Sequence, residues 1–146
     1  MRDAETADIA VQAALTGHLV LSTVHTTDAT AALARLQEMG VPPYLLSATL
    51  QGVLAQRLVR RVCESCGTWR PLSEHERVRV AASGAMVTQL REGTGCALCA
   101  GTGFRGRVAI AELLVLDDAL RSAFTQGASL VELRAMVRAR GVRSLR

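Results

Sequence analysis

The stretch Thr16-Gly17-His18-Leu19-Val20-Leu21-Ser22-Thr23-Val24-His25-Thr26-Thr27-Asp28 decides how the rest of the chain is read. A turn opens it, a continuous apolar segment of strand length follows, and polar residues able to cap a helix close it. Leu19-Val20-Leu21, bounded by polar residues, suits a strand covered on both faces. Thr26, Thr27 and Asp28 supply hydroxyl and carboxylate acceptors ahead of a helical pattern that starts near Ala29. In open α/β sheets, ligands and phosphates in particular gather where a strand ends beside a helix start. His18 and His25 bracket this strand and are therefore candidate site residues, although a histidine near a strand is more often a satisfied structural residue.

Outward from that stretch, Asp3 to Leu15 has a helical pattern, with Asp3 as cap, Glu5 in the first turn and Ile9, Ala10, Ala13 and Ala14 as apolar face. Gly17 stops it. The next helix spans Asp28 to Met39, with Ala32, Leu33, Leu36 and Met39 on one side and Gly40 ending it. Val41-Pro42-Pro43 breaks the chain and opens a helix from Tyr44 to about Gln56, since proline suits a first turn. Leu58-Val59 and Val62 form a short strand leading to the first cysteine pair. The order helix, strand, helix, helix, strand fits an α/β layer rather than a bundle.

Between Cys63 and Cys99 the chain is polar and weakly periodic, apart from a short helix near Glu74–Ala82. Gly101-Thr102-Gly103-Phe104-Arg105-Gly106-Arg107 reads as a tight glycine-punctuated turn, and Val108–Ala111 as a strand. Asp117 or Asp118 caps a helix carrying Leu120 and Phe124. A capping box, Ser129-x-x-Glu132, opens the last helix, whose core face is Leu130, Leu133 and Val137 and whose end is Gly141.

With 146 residues and a hydrophobic fraction of 49%, the chain can pack a core, but at 3% aromatic it must fill that core with Leu, Val and Ala. No apolar run approaches the ~20 residues that span a bilayer, and Met1-Arg2-Asp3-Ala4-Glu5 has no apolar signal region. These features read as soluble and cytosolic. All 17 basic side chains are arginine, so the phosphate-binding lysine of a P-loop has no counterpart here. Arginines cluster at 57, 60 and 61, at 105 and 107, and between 134 and 146; such clusters meet phosphates or acidic partners, or are solvated faces.

The four cysteines form two Cys-x-x-Cys pairs, Cys63/Cys66 and Cys96/Cys99. Two thiolates at that spacing share one knuckle turn, and two knuckles complete a tetrahedral sulfur site for structural zinc. Gly67 and Ala100-Gly101 follow the second cysteine of each pair, where an accommodating backbone lets amide N–H groups face sulfur. The alternatives are two disulfides, an iron–sulfur site or a redox dithiol; a cytosolic setting disfavours disulfides, and redox motifs do not come in two symmetrical copies. Four cysteines leave a catalytic zinc no open position, so the metal is a staple.

Read together, these pieces resemble the C-terminal half of the type II secretion and type IV pilus assembly ATPases, the bacterial secretion protein E family. Met1-Arg2-Asp3-x-Glu5-Thr6-Ala7 is similar to the segment after that family's Walker B glutamate, and Thr16-Gly17-His18 to His25-Thr26 resembles its histidine box. Ala34-Arg35-Leu36 to Met39-Gly40-Val41, Gln56-Arg57-Leu58-Val59-Arg60-Arg61-Val62-Cys63, the tetracysteine element and Gly103-Phe104-Arg105-Gly106-Arg107 follow in the family's order. The resemblance implies a partial RecA-like P-loop ATPase core over residues 1–62 with the histidine box, a tetracysteine zinc-binding subdomain over 63–107, and a strand and helices over 108–146. It implies a cytoplasmic homo-hexamer, peripheral to the inner membrane through a platform protein, using ATP and magnesium to drive secretion or pilus assembly. By the same resemblance His18 and His25 are the histidine-box pair near the γ-phosphate, and Arg57 and Arg107 lie near nucleotide or a subunit interface.

The chain departs from the family in having no Gly-x-x-x-x-Gly-Lys-Thr loop, aspartate box or Walker B strand. It reads as a fragment or truncated gene product that alone neither binds ATP well nor hydrolyses it, with apolar helix faces left uncovered. The alternative function is a zinc-ribbon nucleic-acid-binding module, although no stacking aromatics are interleaved with the arginines. A third reading, His18, His25 and His75 as ligands of a hydrolytic metal, fits no helix-borne ligand spacing.

Overall fold

A computed structural model describes residues 1–142 and 145. The fold is mixed α/β, and its elements in chain order are α1 (Ala4–Leu15), α2 (Ala29–Glu38), α3 (Pro43–Thr49), β1 (Gly52–Val62), β2 (Gly67–Pro71), α4 (Glu74–Ala82), β3 (Gln89–Gly93), β4 (Phe104–Val115), α5 (Asp118–Thr125) and α6 (Leu130–Ala139). The chain divides into two compact units, residues 1–57 with 110–146, and residues 58–109.

The first unit is built on five helices, and single side chains set the starts of all but α3, which opens on Pro43. Asp3 accepts from the Thr6 amide, Asp28 from the Ala31 amide and Asp117 from the Leu120 amide, each at 2.8 Å. Each bond satisfies one of the amides a helix start leaves without an intrahelical partner. Ser129 and Glu132 close the expected capping box of α6. The helices then bury their apolar stripes together: Ala7 and Val11 of α1, Leu33 and Leu36 of α2, Leu46 of α3, Leu120 and Phe124 of α5, and Leu133 and Val137 of α6. Leu114 and Leu116 join them from the end of β4 and the turn after it. Leu130, expected on the core face of α6, is only half-buried.

Three expectations change. Leu19-Val20-Leu21 is not a strand: its backbone has no ladder, and Leu19 and Leu21 are 85% and 87% exposed. A strand needs a hydrogen-bonded neighbour, and among the described residues the sheets are β1 with β4 and β2 with β3. The helix from Tyr44 stops at Thr49, because Leu50 is extended, and the chain then enters β1. From Val53 the burial alternates, Val53 and Ala55 packing on the core with Leu54 exposed between them, which is strand period rather than helix period. β4 likewise begins at Phe104 and absorbs half of the supposed turn, with Gly106 taking a φ of 75° inside the strand as a bulge does.

β1 and β4 pair, and the Leu116 amide on the Gln51 carbonyl and the Cys63 amide on the Gly103 carbonyl run them in opposite directions. In the second unit β2 and β3 pair antiparallel, with Trp69 opposite Arg91 and Gly67 opposite Gly93. Arg70 on β2 grips Glu76 of α4 through two bonds of 2.7 Å and Glu92 through one of 2.6 Å. The Arg70 guanidinium holds the Glu76 carboxyl well below the usual carboxylate range.

Leu113 and Leu114 are consecutive on β4, yet Leu113 is 55% exposed and Leu114 1%. Leu114→Ala is expected to cost about 2–5 kcal/mol in denaturant unfolding, and Leu113→Ala less than about 0.5 kcal/mol. Equal losses would contradict the strand face assigned here.

Candidate metal centre

Cys63 stands at the end of β1 and Cys66 just before β2, so the turn between them presents both thiols to one point. Cys96 and Cys99 bracket a single 3-10 turn, Ala97–Cys99, that follows β3. The Thr94 amide donates to the Cys66 carbonyl at 3.2 Å and the Cys63 amide to the Gly103 carbonyl at 2.9 Å, which brings the second knuckle onto the first. Gly93 and Gly103 make this approach close. A Cβ on either would run into the other's carbonyl oxygen, and Gly103 also has a φ of 74°.

The result is a compact tetrahedron of sulfur, all four atoms lying within 4.8 Å of one another. Cys63 and Cys96 Sγ are 3.9 Å apart, Cys66 and Cys99 Sγ 3.9 Å, and Cys96 and Cys99 Sγ 3.7 Å. A zinc ion at ~2.3 Å from four tetrahedral thiolates places them about 3.8 Å apart. The spacing fits one ion, is far beyond a disulfide bond of ~2.05 Å, and is too tight to enclose a multi-iron cluster. The expected ligand set of Cys63, Cys66, Cys96 and Cys99 is therefore brought together whole. With four thiolates the coordination shell is closed, and the chemistry it offers is structural.

Backbone amides tune the sulfurs unequally. Cys99 Sγ accepts from the Cys96 and Gly103 amides at 3.2 and 3.3 Å, and the Cys96 amide leads in drawing its thiol down to about 6. Cys63 is also lowered, chiefly by the Ser65 amide. Burial pushes the Cys66 thiol up to about 11 against the opposing Gly95 amide. Ala100 follows in the left-handed region at φ 50°, unusual for a residue with a Cβ.

The four-sulfur cluster stands where a hydrophobic core would otherwise be, and it can hold a metal ion. Within residues 58–109 the buried residues are Cys63, Leu72, Cys99 and Gly103. One leucine cannot hold a unit of this size against its chain entropy, and a metal that binds only the folded form can.

The other sequence-derived site residues are dispersed. His18 and His25 are both exposed in the first unit, and the His18 ring nitrogen Nδ1 sits 3.0 Å from the Thr16 hydroxyl. Arg57 donates to the Thr27 carbonyl at 3.3 Å, two residues past His25. Arg107 is exposed in the second unit, where it lines a concavity of about 340 Å³ with Arg61, Arg105, Glu64 and Ser65. His75 is exposed on α4, and among the described residues the group able to hold a metal contains only cysteines. Sequence reasoning missed the Gly93–Gly103 contact and the grip of Arg70 on Glu76, although Ser73-x-x-Glu76 carries a capping-box signature.

At pH 7 a thiol at about 11 is protonated and must lose its proton to bind metal, whereas one at about 6 is already a thiolate. Zinc binding to the metal-free chain is thus expected to release protons, and its affinity to rise from pH 6 to pH 9. Calorimetric titration in two buffers of different ionisation heat checks this; a buffer-independent heat would contradict it.

The whole chain, residues 1–146, matches the family model described as Type II/IV secretion system protein. Among curated relatives it is 50% identical to the type IV pilus assembly ATPase PilB of Thermus thermophilus, over 100% of this chain and 17% of that protein. It is 46% identical to the type II secretion system protein E of Aeromonas hydrophila, over 94% of this chain and 28% of that protein. To the type II secretion system protein E of Pectobacterium carotovorum it is 52% identical, over 84% and 24%. The chain thus spans between about a sixth and just over a quarter of the length of these relatives.

Proposed function

From the membership of this chain in the Type II/IV secretion system protein family, which the match over residues 1–146 establishes, we propose that it forms the C-terminal part of a RecA-like ATPase powering type II secretion or type IV pilus assembly. The colinear match to relatives named as pilus assembly ATPase and secretion protein E carries this reading. In it the enzyme is a cytoplasmic homo-hexamer that engages an inner-membrane platform protein and spends ATP with magnesium. Compatible with that setting, no helix among the described residues is long and apolar enough to cross a membrane.

Each site residue has a role that its chemistry permits. His25 and His18 flank the exposed Leu19–Leu21 segment, whose bare backbone and apolar side chains suit pairing inside a larger sheet. There His25 faces the γ-phosphate as a hydrogen-bond donor, and His18 couples that region to a subunit contact. Arg107, with Arg61 and Arg105 beside it, offers guanidinium groups to a phosphate or an acidic surface of a neighbouring subunit. Arg57 serves through the Thr27 carbonyl it holds. Cys63, Cys66, Cys96 and Cys99 hold zinc, which keeps Arg61, Arg105 and Arg107 on one fixed frame. These 146 residues contain no lysine to clasp a β/γ-phosphate, so on their own they turn over no ATP.

The test is a chimera in which this chain replaces the matching segment of the Thermus relative. ATP turnover is expected to survive the exchange, to fall roughly a hundredfold in kcat on His25→Ala, and to be absent from the 146-residue chain alone. A folded, zinc-loaded chimera without turnover, or one indifferent to His25→Ala, would contradict the proposal.

A further inference from the structure

His25 is exposed, so burial of its own ring does little to fix where it points. Its position is inherited from the turn Thr26-Thr27-Asp28, and that turn is tied down from two distant parts of the chain. The Arg57 guanidinium of β1 donates to the Thr27 carbonyl at 3.3 Å, across 30 residues of sequence. Arg134 of α6 donates through Nη2 to Asp28 Oδ2 at 3.0 Å, across 106 residues. Within the turn, the Thr26 hydroxyl donates to the Asp28 carbonyl at 3.1 Å.

The two carboxylate oxygens of Asp28 each have a task of their own. Its Oδ1 caps α2 through the Ala31 amide, and its Oδ2 takes the guanidinium. Its side chain is 3% exposed and that of Arg134 29%, so both charges lie largely out of water, and each offsets part of the other's burial cost. The Arg134 Nε is also buried, and it makes no hydrogen bond among the described residues. Arg134 is thus held by its bond to the carboxylate more than by an independent network of its own. A cap alone would not require burying a carboxylate against an arginine, since an exposed Asp or Asn caps a helix equally well.

We propose that Arg134 is a positioning residue, whose ion pair with Asp28, together with the Arg57–Thr27 bond, fixes the turn that carries His25. The clamp transmits the placement of α6 and β1 to His25 without either arginine touching a ligand. Its consequence for phosphate chemistry rests on the reading of His25 given above; the clamp itself does not.

The experiment is amide exchange and histidine-ring NMR on the zinc-loaded chain, comparing the wild type with Arg134→Met, Arg134→Lys and Asp28→Asn. Asp28→Asn keeps a capping oxygen and removes the charge pair, and so separates the two tasks of Asp28. With Arg134→Met and Asp28→Asn, exchange at residues 27–31 is expected to accelerate roughly tenfold or more. The His25 ring signals should move while those of His18 and His75 stay, and exchange in α5 and around Cys63 should hold at wild-type rates. Arg134→Lys should restore most of the protection. Unchanged exchange at 27–31, acceleration spread evenly over α5 and α6, or an unmoved His25 signal would each overturn the proposal. In the chimera, Arg134→Met should lower kcat more than it changes KM, with Arg134→Lys recovering it. A chimera inactive even with Arg134 present would overturn the ATPase reading and leave the exchange result standing as the test of the clamp.

Discussion

The meeting of four sulfur atoms at one point is the constraint on which residues 58–109 depend. The rest of that unit is the β2–β3 ladder, the paired ends of β1 and β4, a nine-residue helix with no buried side chain, and a set of turns. A lone two-stranded pair is marginal in water, and one buried leucine adds little to it. The sulfur–sulfur separations of 3.7 and 3.9 Å match the edges of a zinc tetrahedron, so the cluster can hold a zinc ion, whose coordination would supply folding energy to the unit. The close Gly93–Gly103 contact and the left-handed Ala100 are local conformations that a metal bound at the cluster would hold in place.

Residues 1–57 and 110–146 follow the opposite strategy. Their stability comes from apolar stripes of five helices closing around Leu33, Leu114 and Leu133, and from side-chain caps that set where four of them begin. Against that background the exposed residues are informative. Leu19 and Leu21 turn apolar side chains to solvent beside a backbone with no ladder, between the two histidines on which the functional reading turns. A segment like this is costly to leave uncovered, and a larger sheet would remove the cost. The Asp28–Arg134 pair sits at the far end of the same segment, three residues past His25.

How much of this was legible depended on whether the signal was local. The cysteine spacing sufficed for the metal centre because two Cys-x-x-Cys turns carry their geometry with them. Asp3, Asp28, Asp117 and Ser129 were readable as caps because a cap and its amide are three residues apart. The start of β1 was hidden by Leu45, Leu46 and Leu50, which extend the helical spacing up to the point where strand alternation takes over. β2 and β3 were hidden because they are solvated on most positions, so no apolar alternation marks them. Leu19–Leu21 misled in the other direction: its composition is that of a covered strand, and composition cannot tell whether a neighbour is there. Arg134 was one of two arginines on α6, and only the fold brings it to Asp28, 106 residues away.

The four-sulfur cluster can hold a metal in place of the hydrophobic core that residues 58–109 lack. The most direct test is the zinc content of the purified chain, taken with thiol titration and an amide spectrum before and after chelation. One zinc per chain is predicted, with four thiols becoming reactive only on chelation and the signals of residues 58–109 collapsing while those around Leu33 and Leu133 persist. A chain without metal whose thiols react freely while those signals remain dispersed would contradict it.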